Sequence, residues 1–281
     1  MKLIAYSKGL YSTWVYYSPD RILLDAGEGV SPILGNKSFA IRHIFLSHGH
    51  ADHISGLVGL INIRNNAMGD REKPLTIYYP RGNWRVSELM GYLWRTNRRL
   101  RYQLEWVPLG DGERIQVFRG QKDRYVEAFK TVHSQDEWSL GYNVIEVRER
   151  LKKEYRDLPQ EEIIQIIRDG KRNELLEMYD KKLLSYGGDS IPLDPRKIEE
   201  TDLLLHDVTF LREQDRKEYK HATVEEALQV AKEAHVQQEL LAIHISSRYK
   251  SIIRETEEEL RRLDLPFKVT LLPPGKIFAR E

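Results

Sequence analysis

Six short apolar runs recur along the chain, and each one leads into polar residues that open a turn. They cover residues 21–24, 44–46, 128–132, 183–186, 203–205 and 240–243, and the residues that follow include Asp25, His48, His133, Asp189, His206, Asp207 and His244. Runs of this length that are rich in branched side chains predict buried strands. Polar residues also begin ordinary turns, but that does not explain why four of the six runs lead into His. Because strands hold rigidly what the next loop displays, the pattern predicts one site along a sheet edge.

Helical patterns fill the gaps between the runs. They cover residues 54–63, 223–234 and 251–262. Thr223 lies where a helix N-cap is expected, with acidic residues in the turn that follows. The stretch 146–182 is dense in Arg, Lys and Glu, and we interpret it as a helical insertion on a mixed α/β body. No repeat or linker divides the chain, so we expect a single domain over residues 1–281.

The amino-acid composition limits which kinds of functional site are possible. Of 281 residues 41% are hydrophobic, which is enough to bury a core. The 44 Lys and Arg balance 43 Asp and Glu, which excludes a globally basic nucleic-acid-binding protein but not a local basic patch. The absence of cysteine excludes disulfides, a cysteine nucleophile, iron–sulfur clusters and thiolate-bound metals. Any metal site must therefore consist of His and carboxylate ligands.

Residues 48–53, with the sequence His-Gly-His-Ala-Asp-His, are the strongest chemical signal. A tight turn after a strand can aim His48 and His50 at one metal, while Asp52 and His53 at the head of a helix face a second. Imidazole and carboxylate ligands suit Zn²⁺, with Mn²⁺ or Fe as alternatives. The competing explanation is a His-rich surface loop or an accidental cluster, which we regard as the weaker one.

Two metals need more ligands than this loop supplies. His133, Asp189 and His244 follow three of the predicted strands. Taken singly, each has an ordinary structural explanation, as a buried hydrogen-bonded His or a turn residue. Together with the loop they give two ligand sets that share one carboxylate. The first set is His48, His50, His133 and Asp189, and the second is Asp52, His53, Asp189 and His244.

The motifs resemble those of the metallo-β-lactamase superfamily, and within it those of the tRNase Z family. The superfamily resemblance lies in residues 24–29, 48–53, 188–190 and 244, and the tRNase Z resemblance in residues 206–210, 221–223 and 242–249. The resemblance implies a four-layer αβ/βα sandwich with two Zn²⁺ at its edge. It also implies a precursor tRNA substrate, whose 3′ trailer is removed by metal-activated hydroxide attacking the phosphodiester.

The same resemblance implies four catalytic residues. His221 would protonate the leaving oxygen, and Asp207 would orient and charge its imidazole. Asp52 would orient the attacking water in addition to binding metal, and Arg248 would contact phosphate. Structural explanations remain open, because Asp207 can simply cap a strand and Arg248 can simply pair with an acid. We expect His206 to hold a neighbouring ligand by a hydrogen bond.

The sequence departs from the family pattern in three places. Residues 30–32 replace a usual Thr-Gln, Asp207 replaces a usual Glu, and the insertion over residues 146–182 lacks the Gly-Pro of the family's tRNA-binding arm. The basic residues of the insertion can grip phosphates, or they can belong to a solvated charged helix. These residues are Arg148, Arg150, Lys152, Lys153, Arg156, Lys171 and Arg172.

Residues 81–102 form a second basic cluster, with aromatic residues at Trp84, Tyr92, Trp94 and Tyr102. Arg interleaved with aromatic residues can bind an RNA backbone and stack bases. An amphipathic helix with core aromatics explains the same spacing, and we favour it for the aromatics.

We therefore predict a zinc-dependent tRNA 3′-processing endonuclease, and the resemblance implies a homodimer. A small-molecule hydrolase of the same superfamily and a non-catalytic RNA-binding protein are the alternatives. Residues 1–17 contain no apolar stretch long enough for a signal peptide, and nowhere do 18 apolar residues run together. We therefore expect a cytoplasmic protein without membrane segments.

Overall fold

A first seven-stranded sheet is built mostly from the N-terminal half of the chain. The computed structural model describes residues 2–68 and 71–280. The strands of this sheet are β1 (Leu3–Lys8), β2 (Ser12–Tyr17), β3 (Ile22–Leu24), β4 (His43–Phe45), β5 (Leu75–Pro80), β6 (Leu104–Leu109) and β14 (Ile277–Arg280). Their order is β14-β1-β2-β3-β4-β5-β6. Pairing is antiparallel from β14 to β3 and parallel from β3 to β6.

A second seven-stranded sheet has the same organisation. Its strands are β7 (Arg114–Phe118), β8 (Arg124–Thr131), β9 (Ser139–Leu151), β10 (Leu176–Tyr186), β11 (Leu203–Asp207), β12 (Glu239–Ile243) and β13 (Lys268–Leu271). Their order is β13-β12-β11-β10-β9-β8-β7. Pairing is antiparallel from β7 to β10 and parallel from β10 to β13. Each half of the chain thus contributes one sheet with an antiparallel and a parallel part.

Helices lie on the outer faces of the two sheets and at the far end of the segment 146–182. They are α1 (Val30–Leu34), α2 (Ala51–Ile54), α3 (Gly56–Met68), α4 (Trp84–Thr96), α5 (Gln160–Arg168), α6 (Arg172–Leu175), α7 (Val224–Glu233) and α8 (Ile253–Arg261). Apolar residues of α1, α3 and α4 pack on the first sheet, and those of α7 and α8 pack on the second. Thr223 caps α7 by accepting from the backbone N–H of Glu226, as its position in the sequence predicts.

The two inner faces share one apolar cluster. It joins residues of the first sheet, such as Val15 and Leu24, to residues of the second, such as Val126, Tyr142 and Leu184. Burial of this apolar area stabilises both sheets against each other. The architecture is the predicted four-layer αβ/βα sandwich, and the six apolar runs lie in β3, β4, β8, β10, β11 and β12.

The insertion over residues 146–182 is helical only in its outer part. Its two ends continue β9 and β10 as a hairpin, in which Glu146 lies opposite Lys181 and Leu151 opposite Leu176. Opposite charges meet across the strands, as Arg150 Nε lies 2.8 Å from Glu177 Oε1. Arg150 and Glu177 thus form a cross-strand pair, whereas Arg148 pairs with Glu146 on its own strand and Arg172 of the helical part pairs with Glu149. The helical parts of this arm are α5 and α6, at its far end, and a 3₁₀ turn over Lys153–Tyr155.

The aromatic residues of the 81–102 cluster contradict the favoured explanation that they belong to the core. The helix is present as α4, but Trp84, Tyr92 and Trp94 are exposed, and only Tyr102 is buried. Their spacing fits a helix, yet α4 buries only Val86 and Leu93, which leaves these rings outside. Among the described residues, no helix is both long and apolar enough to span a bilayer.

Candidate metal centre and catalytic pair

The loop between β4 and α2 carries four of the predicted ligands. His50 is the N-cap of α2, so that Asp52 and His53 lie in the first turn of the helix. Gly49 lets the loop pass close to its neighbours, because a Cβ there would lie 2.5 Å from Asn83 Oδ1. The loop is also held by Glu137, whose Oε1 accepts from the N–H of Gly49 at 2.7 Å. Sequence and packing together thus fix the direction of the side chains.

Three imidazoles converge at the first predicted metal position. His50 Nδ1 lies 3.0 Å from His48 Nε2 and 3.2 Å from His133 Nε2. Ligands of a tetrahedral zinc are about 3.3 Å apart, given bonds near 2.0–2.1 Å. Burial lowers the pKa of all three imidazoles, so they are in the neutral form that binds metal. The fourth residue, Asp189, has its Oδ2 3.9 Å from His48 Nε2.

The second predicted position is lined by Asp52, His53, Asp189 and His244. His244 Nε2 lies 3.3 Å from Asp189 Oδ2 and 3.4 Å from Asp52 Oδ2. His53 Nε2 lies 3.1 Å from Asp189 Oδ1. Both oxygens of Asp189 therefore face imidazoles of the second set, and Oδ2 also approaches His48 of the first set.

The groups around His53 favour a cation at this position. Its Nδ1 binds Asp25, while its Nε2 and Asp189 Oδ1 are buried without a hydrogen-bond partner. Burial lowers the pKa of His53, but the Asp189 and Asp25 carboxylates outweigh it and raise the pKa well above its usual range. A divalent metal between these groups satisfies both unpaired atoms, so the donor set fits a metal.

Hydrogen bonds on the far side fix the ring orientation of most of these imidazoles. His48 Nδ1 contacts Ser47 Oγ at 2.9 Å, and His53 Nδ1 contacts Asp25 Oδ2 at 2.7 Å. His133 Nδ1 contacts the carbonyl of Lys220 at 3.1 Å, and His244 Nδ1 contacts Thr209 Oγ1 at 2.9 Å. Such partners leave the other ring nitrogen of each His free to face a metal.

Asp25 follows a predicted strand and lies in a family-like motif, but the sequence alone assigns it no role. It is fully buried and accepts from the Ser47 N–H at 2.6 Å and from Ser47 Oγ at 2.7 Å. It also accepts from Tyr186 OH at 2.5 Å, besides binding His53. The available signal was its position at the end of an apolar run, which it shares with the predicted ligands. Its backbone has φ 55°, a left-handed conformation that non-glycine residues rarely adopt.

His221 and Asp207 form a second polar unit beside the metal positions. His221 Nδ1 lies 2.6 Å from Asp207 Oδ2, and the ring centroid of His221 is 4.8 Å from that of His133 and 5.3 Å from that of His244. Burial lowers the pKa of His221, but the charge and hydrogen bond of Asp207 raise it to about 9. A raised pKa favours the protonated imidazole, which is the form that can donate a proton.

Asp207 is itself held by the loops around it. Its carboxylate accepts from the N–H of Ser190 at 3.0 Å and from the N–H of Thr209 at 2.8 Å. His206, on the preceding position, contacts the carbonyl of Asp207 and the N–H of Leu193 rather than a metal ligand. It therefore holds the loop that follows Asp189, not the side chain of a ligand as expected.

Most of the predicted residues line one open cleft of about 840 Å³, whereas His48, His53 and Asp207 are fully buried and do not line it, and Arg248 lies apart from it. The cleft is lined by His50, Asp52, His133, Asp189, His221 and His244, together with Arg85, which sequence reasoning did not single out. Arg248 lies outside this lining, at an exposed turn where its Nε donates to Ser246 Oγ at 3.3 Å. Among the described residues it has no acidic partner.

Comparison with known proteins agrees with this architecture. A family model described as a β-lactamase superfamily domain matches residues 20–152. A ribonuclease Z from Sulfolobus acidocaldarius is 32% identical over 273 residues, which span 90% of this chain and 86% of that protein. One from Halobacterium salinarum is 31% identical over 261 residues, spanning 85% and 82%. The chain belongs to the ribonuclease Z family.

Solved structures share the fold of this ribonuclease Z family member. The short form of human tRNase Z superposes with a TM-score of 0.64 at 22% identity, covering 99% of this chain and 98% of that one. The metallo-β-lactamase-fold protein YhfI from Bacillus subtilis superposes with a TM-score of 0.65 at 17% identity, with both chains fully covered. The predicted fold and the predicted family are confirmed, and the His and Asp cluster is suited to divalent metal.

Proposed function

We propose that this chain is a zinc-dependent endoribonuclease that removes the 3′ trailer from precursor tRNA. Its similarity to proteins named ribonuclease Z extends over 85–90% of the chain. The observation that carries the proposal is the His221–Asp207 pair beside the His and Asp cluster. Cleavage of a phosphodiester releases an alkoxide that needs a proton, and a charged imidazole next to a metal centre supplies it.

The proposed metal content is two Zn²⁺, with Mn²⁺ or Fe as substitutes. His48, His50, His133 and Asp189 would hold one ion, and Asp52, His53, Asp189 and His244 the other. The three imidazoles of the first set and all four side chains of the second lie within ligand distance of one another, and Asp189 approaches the first set at His48. When bound, the ions supply Lewis acidity at a phosphate oxygen and activate water for attack on phosphorus.

The residues of the cleft have separate roles in orienting water and in transferring a proton. Asp52 faces the cleft and accepts a hydrogen bond from the attacking water, which orients its lone pair towards phosphorus. His221 keeps its Nδ1 on Asp207 and donates the proton of Nε2 to the leaving 3′ oxygen of the tRNA. Asp207, fixed by two backbone N–H groups, holds the ring and stabilises its charge.

Arg248 serves as a phosphate-binding side chain at the rim. Its exposure and its lack of an acidic partner among the described residues keep the guanidinium available for RNA. A planar guanidinium binds phosphate oxygens in pairs. The neighbouring Phe210 ring, 5.9 Å away, limits where the side chain can lie.

The arm over residues 146–182 is the proposed site that binds tRNA away from the metal centre. Arg148, Arg150, Arg156 and Arg172 are engaged in ion pairs within or next to the arm. Lys153 and Lys171 are exposed, and neither forms an ion pair within residues 2–68 and 71–280. Exposed lysines at the end of a projecting hairpin are suited to contact a phosphate backbone.

The decisive experiment is cleavage of a precursor tRNA that carries a 3′ trailer, with and without chelator. We expect cleavage that stops on chelation and returns with Zn²⁺, and a loss on the order of 10³–10⁴-fold for Asp52→Ala. Asp111→Ala, an exposed Asp paired with Lys197, is the control and should leave activity unchanged. Cleavage that survives chelation, or no cleavage at all, would contradict the proposal.

We also propose a homodimer, formed through the face of α3 and α4. Four exposed apolar side chains lie on these two helices, namely Ile63, Met68, Tyr92 and Trp94, and Trp94 also lines a groove of about 530 Å³. Exposed apolar patches of this kind are typical of protein interfaces. Because precursor tRNA is made inside the cell, the proposed activity also implies a cytoplasmic enzyme.

Light scattering on the purified protein tests the dimer. The wild type should have about twice the mass of one chain, and Trp94→Glu should shift it towards the monomer, since a charge cannot be buried unpaired. Ile277→Glu, an exposed apolar residue on β14, is the matched control. A monomeric wild type would refute the homodimer while leaving the proposed reaction untouched.

A further inference from the structure

Positively charged side chains lie over aromatic rings at several points around the cleft. Lys8 lies 3.5 Å from the centre of Tyr11, Arg85 4.7 Å from Trp84, and Arg216 4.6 Å from Tyr219. Each of these three rings is 58% exposed, although rings of this size are usually buried. Arg85 and Tyr219 line the cleft directly. An exposed ring beside a cation offers both a stacking surface and a phosphate contact.

Trp84, Arg85 and Trp138 form the best-supported of these surfaces, which we call the Trp84 platform. Trp84 is the first residue of α4, and Trp138 is 61% exposed. Asn83 caps α4 and donates from Nδ2 to the carbonyl of Trp138 at 3.0 Å. The two indoles are therefore carried by segments that are tied to each other.

The platform is also fixed to the metal loop. The nearly buried Glu137 carboxylate pairs with the Arg85 guanidinium and accepts from Asn83 Nδ2. The same carboxylate accepts from the N–H of Gly49, between two of the predicted ligands. A surface held this way has a defined position relative to the scissile phosphate, which is what specific binding next to a reaction centre requires.

Of the platform, only Arg85 lines the cleft, and His133 and His50 lie between it and His221. The ring of His221 is 4.8 Å from that of His133, and the ring of His133 is 5.0 Å from that of His50. Beyond His50 come Gly49 and then Arg85, linked through Glu137. If His221 protonates the 3′ oxygen of the tRNA body, that body lies on the His221 side. The trailer then leaves towards Arg85 and Trp84.

We propose that the Trp84 platform binds the first nucleotide of the trailer, with the indole stacked on the base and the Arg85 guanidinium next to its phosphate. This inference rests on the proposed function, because it takes its direction from the role of His221. The expected occupant is single-stranded RNA, since only an unpaired base offers its face to an indole. Stacking of this kind tolerates every base, so the platform recognises an unpaired nucleotide and not its identity.

The test is a double-mutant cycle on precursor tRNA cleavage. Trp84→Ala should lower kcat/KM roughly 10-fold, as expected for the loss of one stacked base. A substrate with an abasic first trailer nucleotide should show a similar loss with the wild-type enzyme. Trp84→Ala acting on the abasic substrate should then cause little further loss, because both changes remove the same contact.

Two further variants serve as controls. Trp84→Phe keeps an aromatic face and should retain most of the activity, which separates stacking from a folding defect. Phe118→Ala removes another exposed ring that lies beside an arginine, Arg124 at 5.7 Å, but belongs to the edge strand β7. It should leave cleavage of both substrates unchanged.

Three results would overturn the inference. They are an additive cycle, an equal loss with bis(p-nitrophenyl) phosphate, which has no trailer base, and a changed oligomeric state in Trp84→Ala. The last of these would identify the platform as a protein interface. Failure of the wild type to cleave the intact precursor would instead refute the proposed function, so the two failures are distinguishable.

Discussion

The metal centre and the arm both consist largely of charged and polar side chains, but they hold these side chains in different ways. At the centre, His48 and His53 are fully buried, and each ring is fixed by a partner on its far nitrogen. On the arm, ion pairs such as Arg150 with Glu177 are partly exposed and lie along a hairpin that projects from the sheet. Partly exposed pairs of this kind contribute little to stability.

The metal centre is therefore suited to catalysis, and the arm is suited to binding of the substrate. Rigid strand ends set the geometry on which a reaction depends, whereas a projecting hairpin can vary its contacts without disturbing that geometry. Changes to the predicted metal ligands should therefore impair every substrate, and changes on the arm should impair only those long enough to reach it. Loss of the proton donor should spare substrates whose leaving group needs no proton. The predictions that follow test this separation from the largest expected effect to the smallest.

His221→Ala should lower kcat for precursor tRNA by about 10²–10⁴-fold, the usual contribution of general acid catalysis. Hydrolysis of bis(p-nitrophenyl) phosphate should suffer far less, because its phenolate leaving group needs no proton. Metal content, measured by atomic emission, should stay that of the wild type.

His43→Ala is the control for this measurement, since His43 lies on β4 and contacts Tyr78 rather than the cleft. Loss of metal in His221→Ala would show that His221 is a ligand, a position its distances to His133 and Asp189 also allow. His221 would then be a metal ligand and not the general acid.

Asp25→Asn should weaken metal affinity by about 10–100-fold, as for other residues that orient a ligand. The amide cannot accept from Ser47, His53 and Tyr186 as the carboxylate does, so His53 loses its fixed orientation. Titration of the metal-free protein with Zn²⁺ against a chelating dye measures the change.

Asp20→Asn provides the comparison, because Asp20 is also buried but pairs with Arg124. It should lower stability without altering zinc affinity. Equal losses of zinc affinity in both variants would indicate general loosening of the fold and remove the special role of Asp25.

The double variant Lys153→Ala/Lys171→Ala should weaken precursor tRNA binding only several-fold. Each lost phosphate contact should reduce the slope of log Kd against log salt by about 1. Turnover of bis(p-nitrophenyl) phosphate should not change. The matched control removes two exposed bases from α8, Arg254 and Arg261, and an equal effect there would mean that the arm is not a specific binding site.

Much of the metal centre could be predicted because short sequence patterns mark its residues. His48, His50, Asp52 and His53 lie within six residues, and the remaining predicted ligands each follow an apolar run. Parallel strands bring such ends to one edge, and β3–β4 and β10–β11–β12 do so here. Periodicity and turn position were therefore sufficient to place these residues near one another.

The features that could not be predicted depend on distant partners. Asp25 accepts a hydrogen bond from Tyr186, which is 161 positions away in the sequence. Glu137 likewise acts through its contacts with Gly49 and Arg85. The arm resembled a helix because alternating charges suit either a helix face or paired strands, and only the partner strand decides between them. Trp84 and Trp94 had the spacing of a helix, but spacing does not say which face meets the sheet.

The two sheets contribute to the metal centre in a ratio of four ligands to three. His48, His50, Asp52 and His53 follow a strand of the first sheet, and His133, Asp189 and His244 follow strands of the second. Metal held by these predicted ligands would connect the two sheets. A ligand that binds only the folded state adds to its stability in proportion to the logarithm of its concentration. Removal of metal should therefore lower the stability of the fold as well as the activity.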